Sequence, residues 1–240
     1  MNVRFLPAGD AAVVVEFGDR IDRDVSEAVL ALSTRVRASD TPGLVETVPT
    51  YRSLLVHFDP LLTSSSSVVA AIQKLLGSRG GARKNVKVWR IPACYDASRA
   101  PDLLEVAQRT GCTADEVVRL HTTTVFHVYM IGFVPGYPYM GDLPRKLHLP
   151  RRTDPRVKVP AGSIAIAAAM TAIYPVESPG GWHLIGATPI RLFDMHAPQP
   201  ALLAPGDRVR FDPVGTAEFD AIRAAVEADD YRVPFETMKP

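Results

Sequence analysis

The sequence predicts an α+β fold: a small N-terminal α/β domain of order ββαββα over residues 1–80, then a strand-rich domain over 85–240. Three observations predict it. Up to Leu76, paired apolar runs alternate with two segments whose apolar residues recur at helical spacing. From Val125 onward, short apolar runs are broken by Pro and Gly, the punctuation of a β-barrel or sandwich. Between them, Leu76 to Lys84 is rich in Gly and basic residues, as an exposed linker is.

Taken in order, Val3–Leu6 and Ala12–Phe17 are apolar runs separated by Pro7, Gly9 and Asp10, and they read as a strand pair. Asp22–Arg37 carries Val25, Val29, Leu32 and Val36 on one helical face. Leu44–Val48 and Leu54–Phe58 flank Pro49 as a second strand pair. Ser64–Leu76 is a helix whose serine run supplies N-caps. Past the linker, Val86–Ile91 is a strand. Asp102–Arg109 is a helix, with Pro101 at its first turn and Gly111 beyond its end. Thr113 caps a further helix through Leu120, where Asp115 and Glu116 suit the positive end of the helix dipole. The runs VFHVYMIGF, GSIAIAAAM, IRLFD and DRVRF read as strands, and Glu218–Val226 as a closing helix.

Composition narrows the function. Of 240 residues, 47% are hydrophobic and 22% charged, which is ordinary for a domain with a real core. A net charge of +1 gives no bulk electrostatic case for nucleic acid or an anionic membrane. No apolar run approaches the ~20 residues a membrane helix needs. The first residues lack the order of a signal peptide. Two cysteines, Cys94 and Cys112, make neither a disulfide framework nor a zinc site. A cytoplasmic protein without a bound metal is expected.

The richest stretch is Ile131–Gly186, where Pro, Gly and aromatic residues are packed together. Within it Arg145, Lys146, Arg151, Arg152, Arg156 and Lys158 form a basic loop held open by Pro150 and Pro155. Guanidinium forks suit carboxylate and phosphate oxygens, so an anion site is expected there, in competition with a merely solvated loop. No P-loop pattern is present. Gly162 and Ser163, and Gly180 and Gly181 beside Trp182, could turn backbone N–H groups toward a bound oxygen. Tight turns explain the same glycines. His121 and His127 lie six apart, which is not a metal spacing. A histidine near Tyr129 could serve as a general acid or base, or sit hydrogen-bonded in the core. Cys94 is a weak nucleophile candidate, and no Gly-x-Ser-x-Gly elbow is present.

GFVPGYPYMGDLP, PRRTDPRVKVPAGSIAIA, IYPVESPGGWHLIGATP and PGDRVRF, with IPACYD and His121 upstream, resemble the family of the B-type subunit of 5-oxoprolinase. That family includes the kinase inhibitor KipI and proteins labelled allophanate hydrolase subunit 1, and it is similar to part of biotin-dependent urea carboxylase. The resemblance implies that the second domain is a cyclophilin-like β-barrel. It implies a larger partner, the C-type subunit of 5-oxoprolinase, and the A-type subunit as a further one. It implies ATP, with Mg2+, used to phosphorylate 5-oxo-L-proline and open it to L-glutamate. No biotin is expected on this chain. On that reading His121 and Tyr129 are the catalytic polar residues. Arg151, Arg152 and Arg156 contact the anion, and Gly162, Ser163, Tyr174, Gly180, Gly181 and Trp182 line the site. A KipI-like regulator that docks on a histidine kinase, or part of a urea or allophanate-type complex, is the alternative. One position departs from the family pattern: Met170 stands where a Gln usually precedes the Thr-Gly-Ile-Tyr-Pro run, and a thioether cannot replace the carboxamide's hydrogen bonds.

Overall fold

The structure is a computed structural model that describes residues 3–77 and 85–238. The chain divides into two compact units, one ending at Asn85 and the other beginning at Val86. The part of the expected linker at residues 78–84 lies outside the described residues.

The first unit runs β1 (Arg4–Pro7), β2 (Ala12–Glu16), α1 (Arg23–Arg37), β3 (Leu44–Pro49), β4 (Ser53–Phe58) and α2 (Ser65–Leu76). Its strands form one antiparallel sheet in the order β1-β2-β4-β3. Val13 and Val15 of β2 pair in register with Val56 and Leu54 of β4, so strand alternation puts all four side chains on one face. That face packs with Val29, Leu32 and Val36 of α1 and Val68 and Ile72 of α2 into one buried cluster. Each such aliphatic side chain contributes roughly 1.5–3 kcal/mol on burial. Asp22 and Ser64 cap the helices, accepting from the backbone N–H of Val25 and Ser67. Glu16 is held by Arg4 and Arg52, and the hydrogen bond from Arg4 keeps its carboxyl below the usual range.

The second unit begins with β5 (Val86–Ala93), α3 (Leu103–Thr110), α4 (Ala114–Thr122), β6 (Phe126–Ile131) and β7 (Pro138–Gly141). It continues through β8 (Arg156–Val159), β9 (Ser163–Ala167), β10 (Met170–Ile173), β11 (Ser178–Gly180) and β12 (His183–Ala187). It ends with β13 (Arg208–Pro213), α5 (Thr216–Glu227) and β14 (Phe235–Met238). Eight strands run in the order β12-β9-β10-β7-β6-β13-β5-β14. Cys94, just past β5, exchanges backbone hydrogen bonds of 2.8 and 2.9 Å with Ala187 at the end of β12. That bridge brings the first and seventh strands together and closes the sheet on itself, with β14 as an added edge. Ile91, Phe126, Met140, Ile164, Ile166 and Phe211 belong to its buried core. β8 and β11 form a separate two-stranded ribbon.

Two strand expectations are corrected. GSIAIAAAM is not one strand but the hairpin β9–β10, because Ala168 takes φ +50° and turns the chain. IRLFD is no strand; it holds only an isolated bridge between Phe193 and Ala201, and its polar groups bond within the loop, as when Asp194 accepts from His196 N–H. Short β7 and the edge strand β14 had no separate signal in the sequence.

Candidate functional site

A cleft of about 610 Å³ opens in the second unit. Its floor depends on one glycine. Gly162 has φ +82°, donates its N–H to Tyr174 O at 2.7 Å and accepts from Thr188 N–H at 2.8 Å. A Cβ at Gly162 would lie 2.4 Å from Thr188 O, so no side chain fits. This close crossing sets Ser163 and Thr188 side by side in the lining. From β8 come Arg156 and Lys158, two residues apart and therefore on one side of the strand. The segment before α3 adds Arg99. From α5 come Phe219, Arg223, Val226 and Glu227, whose spacing of four, three and one is a single helical face. Arg191 completes the set: five cations line the cleft, against Glu227. Such a donor set suits anionic oxygens.

Arg156 is fixed from behind. Its Nη2 donates to Asp102 Oδ1 at 2.6 Å, and Arg152 Nη1 reaches the same oxygen at 3.2 Å. The other oxygen, Oδ2, accepts from Leu184 N–H at 2.7 Å. Asp102 is buried, so the carboxylate is desolvated and fully used. It precedes α3 yet makes no side-chain cap to it, because its oxygens are spent on β12 and the arginines. Arg156 Nη1 and Arg99 Nε are buried and have no hydrogen-bond acceptor among the described residues. Two guanidinium groups of one cleft thus each hold an unspent donor.

The residues expected to form one site do not fall together. Arg156, Gly162 and Ser163 line the cleft. Arg152 lies behind it, shared between Asp102 and Glu105, and its backbone N–H bonds Gly181 O. Tyr174 and Trp182 are buried with Tyr137 in a second apolar cluster, and the Arg151 guanidinium lies 6.0 Å over the Trp182 ring. Gly180 belongs there too, since a Cβ would meet the Tyr174 hydroxyl at 2.2 Å. Burial raises the Tyr137 and Tyr174 pKa values, so both phenols stay neutral. Met170 packs against this cluster and is not among the residues lining the cleft.

His121 corrects the expectation of an accessible acid or base. It is fully buried, stacked on Phe211 at 4.5 Å between ring centroids. Thr171 Oγ1 donates to Ala165 O at 3.0 Å, so His121 Nε2 must be the donor in its 3.0 Å bond to Thr171 Oγ1. Nδ1 therefore accepts from Tyr95 OH at 2.8 Å. Desolvation lowers the His121 pKa to about 3, so the ring is neutral and has no free nitrogen for catalysis. Tyr129 is also buried, its ring lying on Gly141, where a Cβ would be 2.3 Å from the ring edge. Neither residue lines the cleft. Sequence reasoning missed Arg99, Asp102, Thr188, Arg191 and Arg223. All are ordinary surface-type residues whose convergence comes from the fold, and only Pro101 beside Asp102 marked a position of interest.

A closed β-sheet carrying a cationic cleft defines a class here, because residues 3–203 match the family described as carboxyltransferase domain, subdomain C and D. The solved fold of urea amidolyase from Kluyveromyces lactis is similar, with a TM-score of 0.81. That likeness covers 98% of this chain and 16% of that one at 21% identity, and it speaks for the fold alone. Within this class the chain belongs to the family of 5-oxoprolinase B-type subunits. It is 35% identical over 236 residues to the B-type subunit of 5-oxoprolinase from Bacillus subtilis (strain 168), covering 93% of this chain and 98% of that protein. It is 36% identical over 205 residues to the Escherichia coli O157:H7 protein of the same name, covering 85% and 93%.

Proposed function

We propose that this chain is one component of an ATP-dependent 5-oxoprolinase and works with a larger C-type partner and an A-type partner. The carrying observation is similarity over nearly the full length of 5-oxoprolinase B-type subunits. On this reading the second unit is a cyclophilin-like barrel and the protein is cytoplasmic. Among the described residues no helix is long and apolar enough to cross a membrane.

Opening a lactam needs an activated carbonyl. Transfer of ATP's terminal phosphoryl group to the lactam oxygen, with ADP leaving, would activate the ring carbon toward water. The C–N bond would then break with the nitrogen protonated, and hydrolysis of the resulting acyl phosphate would release phosphate and L-glutamate. The cleft's cations fit anionic oxygens rather than Mg2+, which ATP's own phosphate oxygens coordinate. Arg156 and Lys158 orient and neutralise an anionic group, as phosphoryl transfer requires. Asp102 keeps the Arg156 fork aimed. Gly162 allows the close backbone crossing that sets Ser163 beside it.

The test is reconstitution with the A-type and C-type partners, followed by 5-oxoproline-dependent ATP hydrolysis. Folded components without that activity would sink the proposal. Arg156→Ala should lower turnover by about 10²-fold, the scale of losing one electrostatic contact to the reacting group. The variant also takes one partner from the buried Asp102, which keeps Arg152 and the Leu184 N–H, so turnover is compared where both proteins are fully folded. Losses in folding that match the losses in turnover would make Arg156 purely structural.

A further inference from the structure

We propose that Arg99 and Arg223 form a clamp for the carboxylate of the cleft's ligand, with Glu227 beside them taking a ligand N–H. Arg223 and Glu227 come from α5, beyond residue 203 where the family match ends, and Arg99 comes from the segment before α3. The clamp rests on the function proposed above only for the identity of the ligand.

Geometry carries it. Arg99 Nη2 and Arg223 Nη2 both donate to Asp220 Oδ1, at 2.8 and 3.1 Å. Both guanidinium groups also lie over the Phe219 ring, with Cζ at 3.8 and 5.9 Å from its centroid. The two cations share the Asp220 carboxylate, and the lining as a whole sets five cations against Glu227, so positive charge remains for a ligand carboxylate. The shared anion and the aromatic face fix both forks before any ligand arrives, and a pre-oriented fork loses little entropy on binding. Asp220 takes one Nη2 of each guanidinium, and each carries five N–H donors, so the pair still has donors to give. Glu227 lies four residues after Arg223 on α5, on the same face. It lines the cleft. Pro101, Ile190 and Val226 add apolar surface suited to ring methylenes. A cyclic acid with a ring N–H answers all three features.

Calorimetric titration of the full chain with three probes tests this: 5-oxo-L-proline, cyclopentanecarboxylate and 2-pyrrolidinone. The two acids should bind, and 2-pyrrolidinone, lacking the carboxylate, should bind far more weakly. Arg223→Gln and Arg99→Lys should each weaken both acids by about tenfold to a hundredfold, the scale of a charge-assisted hydrogen bond. Glu227→Gln should weaken 5-oxo-L-proline and leave cyclopentanecarboxylate unchanged. Arg223 is half-exposed, so its variant should keep the parent's thermal midpoint and isolate binding from folding. Binding of cyclopentanecarboxylate but not 5-oxo-L-proline would keep the clamp and sink the lactam reading. Failure of both acids to bind, or equal affinity in parent and arginine variants, would overturn the clamp.

Discussion

His121 shows how one buried side chain sets a pH dependence. Its pKa is about 3 in the fold, against 6.5 for an ordinary histidine, so the folded chain keeps it neutral where the unfolded chain would protonate it. Above pH 6.5 both states are neutral and the residue adds no pH slope. Below 6.5 the unfolded state takes up the proton and stability falls, until both states are protonated below about 3. At pH 4 the deficit relative to pH 7 should be about 3 kcal/mol from this residue. His121→Gln, which cannot protonate, should flatten that difference in urea denaturation; an unchanged pH 4 to pH 7 difference would refute it. Asp102 makes the complementary case. Asp102→Ala leaves Arg156 and Arg152 without their shared acceptor and Leu184 N–H unbonded. A loss of about 3–5 kcal/mol is expected, the scale for removing one partner of a buried pair. Denaturant midpoints would show it. Neither role could be read from the chain. His121 looks the same in sequence whether it faces solvent or Phe211, and Asp102 reads as an ordinary residue at the start of a helix until Leu184 is known to lie beside it.

Local chemistry was far more legible than convergence. The ββαββα order is present as predicted, because each element carries its own period and its own cap. Thr113 makes the expected cap and adds a full box with Glu116, and Gly111 ends α3 at φ +64°. Thr113→Ala should therefore cost about 1 kcal/mol in thermal or chemical denaturation. The hairpin β9–β10 was not legible, since AIAAAM gives no Gly or Asn to mark its turn. Ala168 takes a positive φ that costs a non-glycine residue roughly 1–2 kcal/mol, and it is exposed. Asn tolerates that conformation better, so Ala168→Asn should raise the denaturation midpoint by up to about 1 kcal/mol of stability. A drop in stability would show that the turn is held by contacts of the alanine itself. The basic loop was legible as charge but not as a surface. Its arginines divide between the cleft, Asp102 and the Trp182 face, according to which strand or turn carries each.

At the scale of the whole chain, two sets of buried residues are separate. One is built only from residues up to Leu76, the other only from residues after Val86. Both tryptophans, Trp89 and Trp182, belong to the second unit. Indole fluorescence therefore reports the unfolding of that unit, whereas far-ultraviolet circular dichroism reports both. Leu32 is fully buried in the first unit, between its helices and sheet. Leu32→Ala should destabilise that unit by about 2–5 kcal/mol. If residues 1–80 and 85–240 are independent domains, the dichroism transition should move to lower denaturant while the fluorescence transition stays in place. A common shift of both transitions would mean that the units unfold as one cooperative body.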